Sequence, residues 1–240
     1  MAASCWMKSV LRHGLLCATL LLTAASAVAA ESAGNFDRTI YLVRHGSYTP
    51  DANAKPEVGP PLTALGIAQA RLVASRFRQL PSRVDSITSS KMLRAMQTAA
   101  VIRESLPDVP TGSSALISEC TPPMLVKSNN EPAARQDVCK QRLDAAFAQF
   151  FVPAQAAEKT DLLVCHGNVI RYLVTRALGV DTRTWANMSV AHTSVTIVRV
   201  LADGSFKVLA VGDTGHVPPT LHSWGTDEDP QLDPPSIAAF

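Results

Sequence analysis

The chain has 240 residues, a length that suits one domain or two small ones. Hydrophobic residues make up 47% of it and charged residues only 18%, which argues against a disordered or coiled-coil protein. The formal net charge is +2 and comes from Lys8 and Arg12, because the rest of the chain carries 20 basic and 20 acidic residues. Nucleic-acid binding requires a net basic face, and this balance argues against it.

Residues 1–30 have the three parts of a secretory signal peptide. Lys8 and Arg12 precede an apolar stretch from Leu15 to Ala30, and Ala27-Val28-Ala29 offers small residues for cleavage. We therefore expect export to the periplasm or the extracellular space, where conditions are oxidising. Two alternatives stay open. An uncleaved anchor would place the protein at a membrane, although the apolar stretch is near the lower limit of a span, and a mitochondrial presequence would usually be more basic.

Short apolar runs and helical periodicity alternate along the rest of the chain. The predicted strands are Ile40–Val43, Ser86–Thr88, Ala115–Ile117, Leu162–Cys165, and a hairpin of Thr193–Val200 with Phe206–Val211 around Asp203-Gly204. The first predicted helix begins after Thr63 and ends before Pro81, and the second begins after Ser90 and ends before Pro107. The third spans about 133–152, and the fourth runs from about Val169 and stops at Gly179.

The alternation of strands and helices predicts one α/β domain over residues 31–219. We expect three layers, with a mostly parallel sheet covered by helices on both faces. After Val217 the sequence is rich in proline and acidic residues. Residues 220–240 are therefore expected to form a flexible, solvated tail.

Three cysteines remain after the N-terminal segment. Cys165 ends an apolar run and is expected to be a buried small hydrophobic residue. Cys120 and Cys139 flank a loop and could form a disulfide, but spacing alone does not place their Cα atoms within the ~7 Å that a bridge requires, so both the bridged and the reduced form stay open. No residues have the spacing of metal ligands, and no metal site is predicted.

Charged and polar residues follow four of the predicted strands. Arg44 and His45 come directly after the first strand, Arg94 lies in the helix after the second, Glu119 follows the third, and His166 follows the fourth. Ligands of such sheets bind at the carboxyl ends of the strands. We therefore expect two arginines, two histidines and a carboxylate to meet at one rim.

These side chains suit phosphoryl transfer without a metal or another cofactor. Arg44 and Arg94 offer planar donor forks to phosphate oxygens, and neutral His45 can hold a phosphoryl group covalently. A protonated His166 can stabilise charge on the phosphate, and Glu119 can protonate the leaving alkoxide and then activate water. Gly46, next to His45, would let the backbone approach the ligand closely. His192 precedes a strand and could line the same rim, although the sequence favours a structural role.

Five segments follow one another as in a known family. They are Tyr41–Gly46, Leu62–Gly66 with Gln69, Ser89–Thr98, Cys165–Val174 and Gly212–Pro219. The sequence resembles the histidine phosphatase (phosphoglycerate-mutase-like) superfamily, most of all its branch of mitochondrial mutase-like serine/threonine protein phosphatases. The resemblance implies the histidine-phosphatase fold and a phosphatase that needs no cofactor. It implies His45 as phosphate acceptor, Arg44, Arg94 and His166 as the phosphate pocket, and Glu119 as proton donor.

The resemblance also implies a phosphorylated substrate. A phosphoprotein is the first candidate, and small phosphate esters stay open. Mutases carry a long extra segment over the site, whereas this chain has only the loop 120–132, which favours hydrolysis. A catalytically silent phosphate-binding or scaffold protein and a phosphoglycerate-type mutase are the alternatives. The sequence indicates no oligomeric state.

Overall fold

The computed structural model describes residues 35–125 and 131–225. Its strands are β1 (Arg38–Arg44), β2 (Ser86–Ser90), β3 (Thr111–Ser114), β4 (Lys159–Cys165), β5 (Val195–Val200) and β6 (Phe206–Asp213). Its α-helices are α1 (Ala64–Arg78), α2 (Leu93–Ser105), α3 (Ala133–Phe150) and α4 (Gly167–Leu178). Short 3-10 helices span Ala115–Ile117, Thr182–Asn187 and Pro219–Leu221. The expected segment 1–30 lies outside the described residues.

The six strands form one sheet in the order β3-β2-β4-β1-β5-β6. Strands β1 to β4 run parallel to one another, whereas β5 runs antiparallel to both of its neighbours. Helices pack on both faces, which confirms the expected α/β fold with a mostly parallel sheet. Strands β1 and β4, far apart in sequence, lie side by side in the centre, so the residues that follow them leave the sheet at the same edge.

Strands β1 and β4 are buried on both faces, which explains why their sequences are continuous apolar runs. Side chains of alternate residues point to opposite faces of a strand. Leu42 and Leu163 therefore pack with α3 and α4, whereas Val43 and Val164 pack with α1 and α2. Both helical layers thus brace the two strands that carry the candidate site.

The third strand is not where the sequence predicted it. Ala115–Ile117 is a 3-10 helix, and β3 is the preceding segment Thr111–Ser114. The Ser114 hydroxyl accepts a hydrogen bond from the Leu116 N–H at 3.2 Å, which starts the 3-10 helix and buries Ile117. Strand β3 is an exposed edge of polar residues and glycine, so it has no hydrophobic pattern to reveal it.

The helix ends follow the sequence signals with one exception. Thr63 caps α1 by accepting a hydrogen bond from Gly66 N–H at 3.1 Å, and Gly179 ends α4 with a φ of 68°. Helix α2 begins after Met92 rather than directly after Ser90. The Ser90 hydroxyl accepts from Met92 N–H and also lies at the candidate site, so Ser90 belongs to both.

The packed domain continues beyond residue 219, where we expected the tail to begin. Ser223 is fully buried, and the side-chain N–H groups of Gln69 donate to Leu221 O at 2.7 Å and to Ser223 Oγ at 2.8 Å. The described chain therefore packs against the domain through Gly225. Residues 226–240 of the expected tail lie outside the described part of the chain.

The cysteines take the form that suits an oxidising compartment. Cys120 and Cys139 form a disulfide with their Cα atoms 5.8 Å apart, which answers the question that spacing left open. Cys165 is free and fully buried, as expected. Within residues 35–125 and 131–225 no helix has the length and apolarity that crossing a membrane requires.

Candidate active site at the carboxyl ends of the central strands

Two histidines meet where β1 and β4 end. Arg44 pairs with Cys165 in the parallel register, and His45 N–H donates to Cys165 O at 2.9 Å, so the ladder continues one residue past the strands. The ring centroids of His45 and His166 are consequently 5.0 Å apart. Both side chains are buried, at 1% and 0% exposure. The expected meeting of these residues is confirmed.

The hydrogen bonds of His45 fix which ring nitrogen carries its proton. Nδ1 lies 2.8 Å from the Gly46 carbonyl, which can only accept, so Nδ1 is the donor. Nε2 accepts from Nε of Arg94 at 3.1 Å and therefore holds the lone pair. Burial, followed by the neighbouring His166 and the charges of Arg44 and Arg94, lowers the pKa of His45 well below its usual value. His45 is therefore a neutral imidazole with a nucleophilic Nε2.

The turn after His45 is held by the two helices behind it. Gly46 N–H donates to Thr98 Oγ1 of α2 at 3.1 Å, and Ser47 N–H donates to Gln69 Oε1 of α1 at 2.9 Å. A Cβ on Gly46 would lie 2.4 Å from the backbone oxygen of Gly66. The close approach of α1 therefore requires glycine at this position.

Arg94 brings its guanidinium to Nε2 of His45 from α2. Its side chain is 4% exposed, and Cζ lies 4.5 Å from the centroid of the Tyr48 ring. Gly59 leaves room for it, since a Cβ there would be 2.6 Å from Nη1 of Arg94. Tyr48 and Gly59 thus shape the site, although the sequence analysis did not select either residue.

Arg44 approaches the histidines from the end of β1. Its Nη1 donates to Val190 O at 2.7 Å and to Trp224 O at 3.2 Å. Its charge contributes to the lowered pKa values of both His45 and His166. Arg44 is therefore tied to the segments around Val190 and Trp224 while its charge acts at the candidate site.

His166 caps the amino end of α4, where the first N–H groups of a helix favour an anion. Its Nε2 lies 2.8 Å from Ser90 Oγ, and its Nδ1 lies 4.0 Å from Oε2 of Glu119. Burial, followed by the charges of Arg94 and Arg44, lowers the pKa of His166 well below its usual value. The surrounding protein groups therefore favour the neutral form of His166. The protonated form that we expected requires the negative charge of a phosphate beside the ring.

Glu119 lies beside His166 on the loop after the 3-10 helix. Its Oε1 accepts from the N–H of Cys120 at 3.2 Å, and its side chain is 28% exposed. Burial raises the pKa of the carboxyl, although the charges of Arg44 and Arg94 oppose the change. A raised pKa favours the protonated acid that could donate to a leaving group. All five residues predicted for the site are therefore brought together.

His192, for which the sequence left both a structural role and a place at the rim open, lines the same cluster. Its ring is buried, with its centroid 5.4 Å from that of His45 and its Nδ1 2.8 Å from Ser223 Oγ. Thr193, which follows it, has the unusual φ of 54° and donates its N–H to Arg44 O at 3.1 Å. The antiparallel pairing of β5 explains the position, because the residues before β5 lie where β1 ends. The sequence predicts the hairpin but not its place beside β1, so the position of His192 follows only from the strand order.

The cluster offers donors to an anion rather than ligands to a metal. Among the residues that the structure describes, no three His, Cys, Asp or Glu side chains are grouped so as to hold a metal ion. What the site presents is one neutral nucleophile, two guanidinium groups, a second imidazole and one carboxylic acid.

Comparisons with known proteins identify relatives of this chain. The model of the histidine phosphatase superfamily (branch 1) matches residues 40–121 and 128–214. The chain is 34% identical over 194 residues to the serine/threonine-protein phosphatase Pgam5, mitochondrial, of Caenorhabditis elegans, which covers 78% of this chain and 66% of that protein. It is also 34% identical over 188 residues to human PGAM5, covering 76% of this chain and 64% of that protein. The match thus spans just under two thirds of these relatives.

Solved structures show the same fold. A phosphoglycerate mutase from Plasmodium falciparum superimposes with a TM-score of 0.55 at 24% identity, over 77% of this chain and 96% of that one. A phosphoserine phosphatase from Entamoeba histolytica gives a TM-score of 0.53 at 18% identity, over 75% of this chain and all (100%) of that one. The family model matches more than half of the chain, which shows that this chain belongs to the histidine phosphatase superfamily, branch 1.

Proposed function

We propose that the chain is a metal-independent phosphatase that hydrolyses phosphate monoesters through a phosphoryl group on Nε2 of His45. The observation that carries the proposal is the state of this ring: its proton lies on Nδ1, and a guanidinium contacts Nε2. A phosphate that binds here displaces the N–H of Arg94 from Nε2, and the guanidinium then donates to phosphate oxygens.

The first step transfers the phosphoryl group. A bond forms between Nε2 of His45 and phosphorus while the bond from phosphorus to the ester oxygen breaks. Glu119 supplies the proton that the leaving alkoxide requires, and Arg44, Arg94 and His166 stabilise the phosphate charge.

The second step reverses the proton transfer. The Glu119 carboxylate takes a proton from water, the water oxygen bonds to phosphorus, and the bond between phosphorus and Nε2 breaks. Inorganic phosphate leaves, and both His45 and Glu119 return to their starting states. All five site residues that the sequence predicted thus have a role in the proposed cycle.

We propose phosphorylated serine and threonine in proteins as the substrate. The printed names of the relatives support this choice, since both are serine/threonine-protein phosphatases.

The test is to trap the intermediate. The wild-type protein is mixed with p-nitrophenyl phosphate or a phosphoserine peptide, and the reaction is quenched rapidly. Acid-sensitive, base-stable phosphate should then be found on the wild-type protein and should be absent from His45→Ala. Phosphate binding without release would instead indicate a silent binding protein. Interconversion of phosphoglycerates without net release of phosphate would indicate a mutase.

We propose further that residues 1–30 direct export and are removed. The disulfide Cys120–Cys139 supports an oxidising compartment, while the relatives are named as mitochondrial. The intact mass of the mature protein and its distribution between cell fractions test this. A full-length mass in a membrane fraction would favour a retained anchor.

A further inference from the structure

The loop that carries Glu119 is fastened to α3 at two neighbouring points. Cys120 forms the disulfide with Cys139 of α3. Three residues later on the same helix, Nη2 of Arg142 donates to Ser118 O at 2.7 Å and to Glu119 O at 3.3 Å. Residues three apart lie on one face of a helix, so a single face of α3 holds residues 118–120.

Cys120 also holds the carboxyl group of Glu119 itself. Its N–H donates to Oε1 of Glu119 at 3.2 Å, and its carbonyl accepts from Nδ2 of Asn168 on α4 at 3.1 Å. Within the part of the chain that the structure describes, the N–H of Cys120 is the one hydrogen-bond donor to the Glu119 carboxyl. The carboxyl is 28% exposed, and its Oε2 lies 4.0 Å from Nδ1 of His166. Because the N–H of Cys120 holds this carboxyl, a shift of Cys120 would also shift the acid.

We propose that the Cys120–Cys139 disulfide and Arg142 are positioning groups for Glu119, and that the intact disulfide is needed for fast cleavage of esters with poor leaving groups. This inference rests on the proposed function, in which Glu119 is the acid. An alkoxide must be protonated as it leaves, whereas p-nitrophenolate is stable without a proton. A displaced Glu119 therefore slows the cleavage of phosphoserine and spares that of p-nitrophenyl phosphate.

The ratio of kcat/KM for the two substrates isolates this step, because kcat/KM extends only to the first irreversible step, the departure of the leaving group. The variant with both Cys120→Ser and Cys139→Ser should lose roughly 10- to 100-fold of kcat/KM on a phosphoserine peptide. This is less than the roughly 100- to 10,000-fold that a general acid usually contributes, because Glu119 is displaced and not removed. On p-nitrophenyl phosphate it should lose less than about threefold, since no acid is required there. An equal loss on both substrates would overturn the proposal, because general damage to the fold does not depend on the leaving group.

The Glu119→Gln background separates positioning from structure. That variant should show the same dependence on the leaving group, and removing the disulfide from it should cause no further loss on the peptide, because the two changes act on one step. A further loss in this background would contradict the proposal. Arg142→Gln should give the same pattern with a smaller loss.

A measurement on the unaltered protein guards against a variant that fails to fold. Dithiothreitol transfers two hydrogens to Cys120 and Cys139 and closes to its own cyclic disulfide. Activity on the peptide should fall as these two thiols appear, and activity on p-nitrophenyl phosphate should persist. Burial raises the pKa of Cys165, which keeps this thiol out of the exchange.

The failure of the inference can be told from failure of the proposed function. Wild-type protein that releases phosphate from neither substrate would refute the function and the inference with it. If the wild-type protein cleaves both substrates, and neither Glu119→Gln nor loss of the disulfide changes the rates, the inference is refuted. The phosphohistidine route is then unaffected.

Discussion

Nε of Arg94 lies 3.1 Å from Nε2 of His45, so the residue proposed to bind phosphate also contacts the residue proposed to accept it. The contact places a permanent donor on the ring atom that must stay unprotonated. Together with burial, which is the larger cause, this charge keeps the pKa of His45 low. One guanidinium therefore prepares the nucleophile before substrate arrives and can bind the phosphate afterwards.

Replacing Arg94 by Lys should lower kcat/KM about 100-fold. A loss of this size is typical when one hydrogen-bond donor to the charge that develops in the transition state is removed. Lysine keeps the charge but lacks the fork that can serve a ring nitrogen and phosphate oxygens in turn. Steady-state kinetics with p-nitrophenyl phosphate measure the effect. Arg71→Lys on the exposed face of α1 is the matched control and should change activity by less than about twofold. Equal activities of the two variants would rule out this role for Arg94.

Replacing Gly59 by Ala should displace Arg94 and lower kcat/KM roughly 10- to 100-fold, as expected for a shift of about 1 Å at a catalytic group. The new Cβ would lie 2.6 Å from Nη1 of Arg94, at a residue whose φ is +68°. Gly179 has the same φ of +68°, with no atom within 4 Å of its Cβ position, and lies at the end of α4. Gly179→Ala therefore has the same backbone penalty, about 1–2 kcal/mol, without the clash. Activity losses of equal size in both variants would show that the backbone, and not Arg94, is responsible.

The part of the site that follows parallel strands was predictable from sequence. Strands β1 and β4 are buried on both faces and therefore appear as apolar runs, and parallel strands deliver the residues after them to one edge. His45 and His166 follow directly, and Arg94 and Glu119 lie a short distance further along the chain. Their convergence needed no knowledge of side-chain packing.

The parts that depend on packing were not predictable. Gly59 is needed both for its φ of +68° and for the close approach of Arg94, and Ser90 is bonded to His166 only because β2 lies next to β4. His192 reaches the site through antiparallel pairing and an unusual backbone angle at Thr193. No local sequence pattern encodes these relationships, which appear only once the strand order is known.

Ser223→Ala should lower the free energy of unfolding by about 1–3 kcal/mol, the cost of leaving a buried polar group unpaired. Ser223 Oγ lies 2.8 Å from Nε2 of Gln69 and 2.8 Å from Nδ1 of His192, and the residue is fully buried. Urea unfolding followed by circular dichroism measures the change. Ser82→Ala in the exposed turn before β2 should stay within about 0.5 kcal/mol. If the two variants were equally stable, residue 223 would belong to a solvated tail after all.

The stability of the domain should fall as pH decreases below about 6.5, the ordinary pKa of histidine. The pKa values of His45 and His166 are lowered well below normal, and that of His216 is lowered to about 4, in each case chiefly by burial. The unfolded chain therefore binds protons near pH 6.5 that the folded chain does not bind. Each such proton lowers the free energy of unfolding by about 1.4 kcal/mol for every unit that the pH falls. The raised pKa of Glu119 makes this residue increase the stability as pH falls. We expect the three histidines together to outweigh this single carboxyl.

Thermal unfolding between pH 7 and pH 5 measures this dependence, with a lower midpoint expected at pH 5. The carboxylates Asp144 and Asp213 do not contribute in this window, since their pKa values are lowered from an already acidic value. His216→Asn should make the pH dependence shallower, because one of the three titrations is then removed. His216 accepts from Nη1 of Arg76 and donates to Thr193 O, so this variant is compared by its slope with pH and not by its absolute midpoint. A midpoint that is the same at pH 7 and pH 5 would mean that these histidines bind protons as readily in the folded protein as in the unfolded chain, and burial would then not keep His45 neutral.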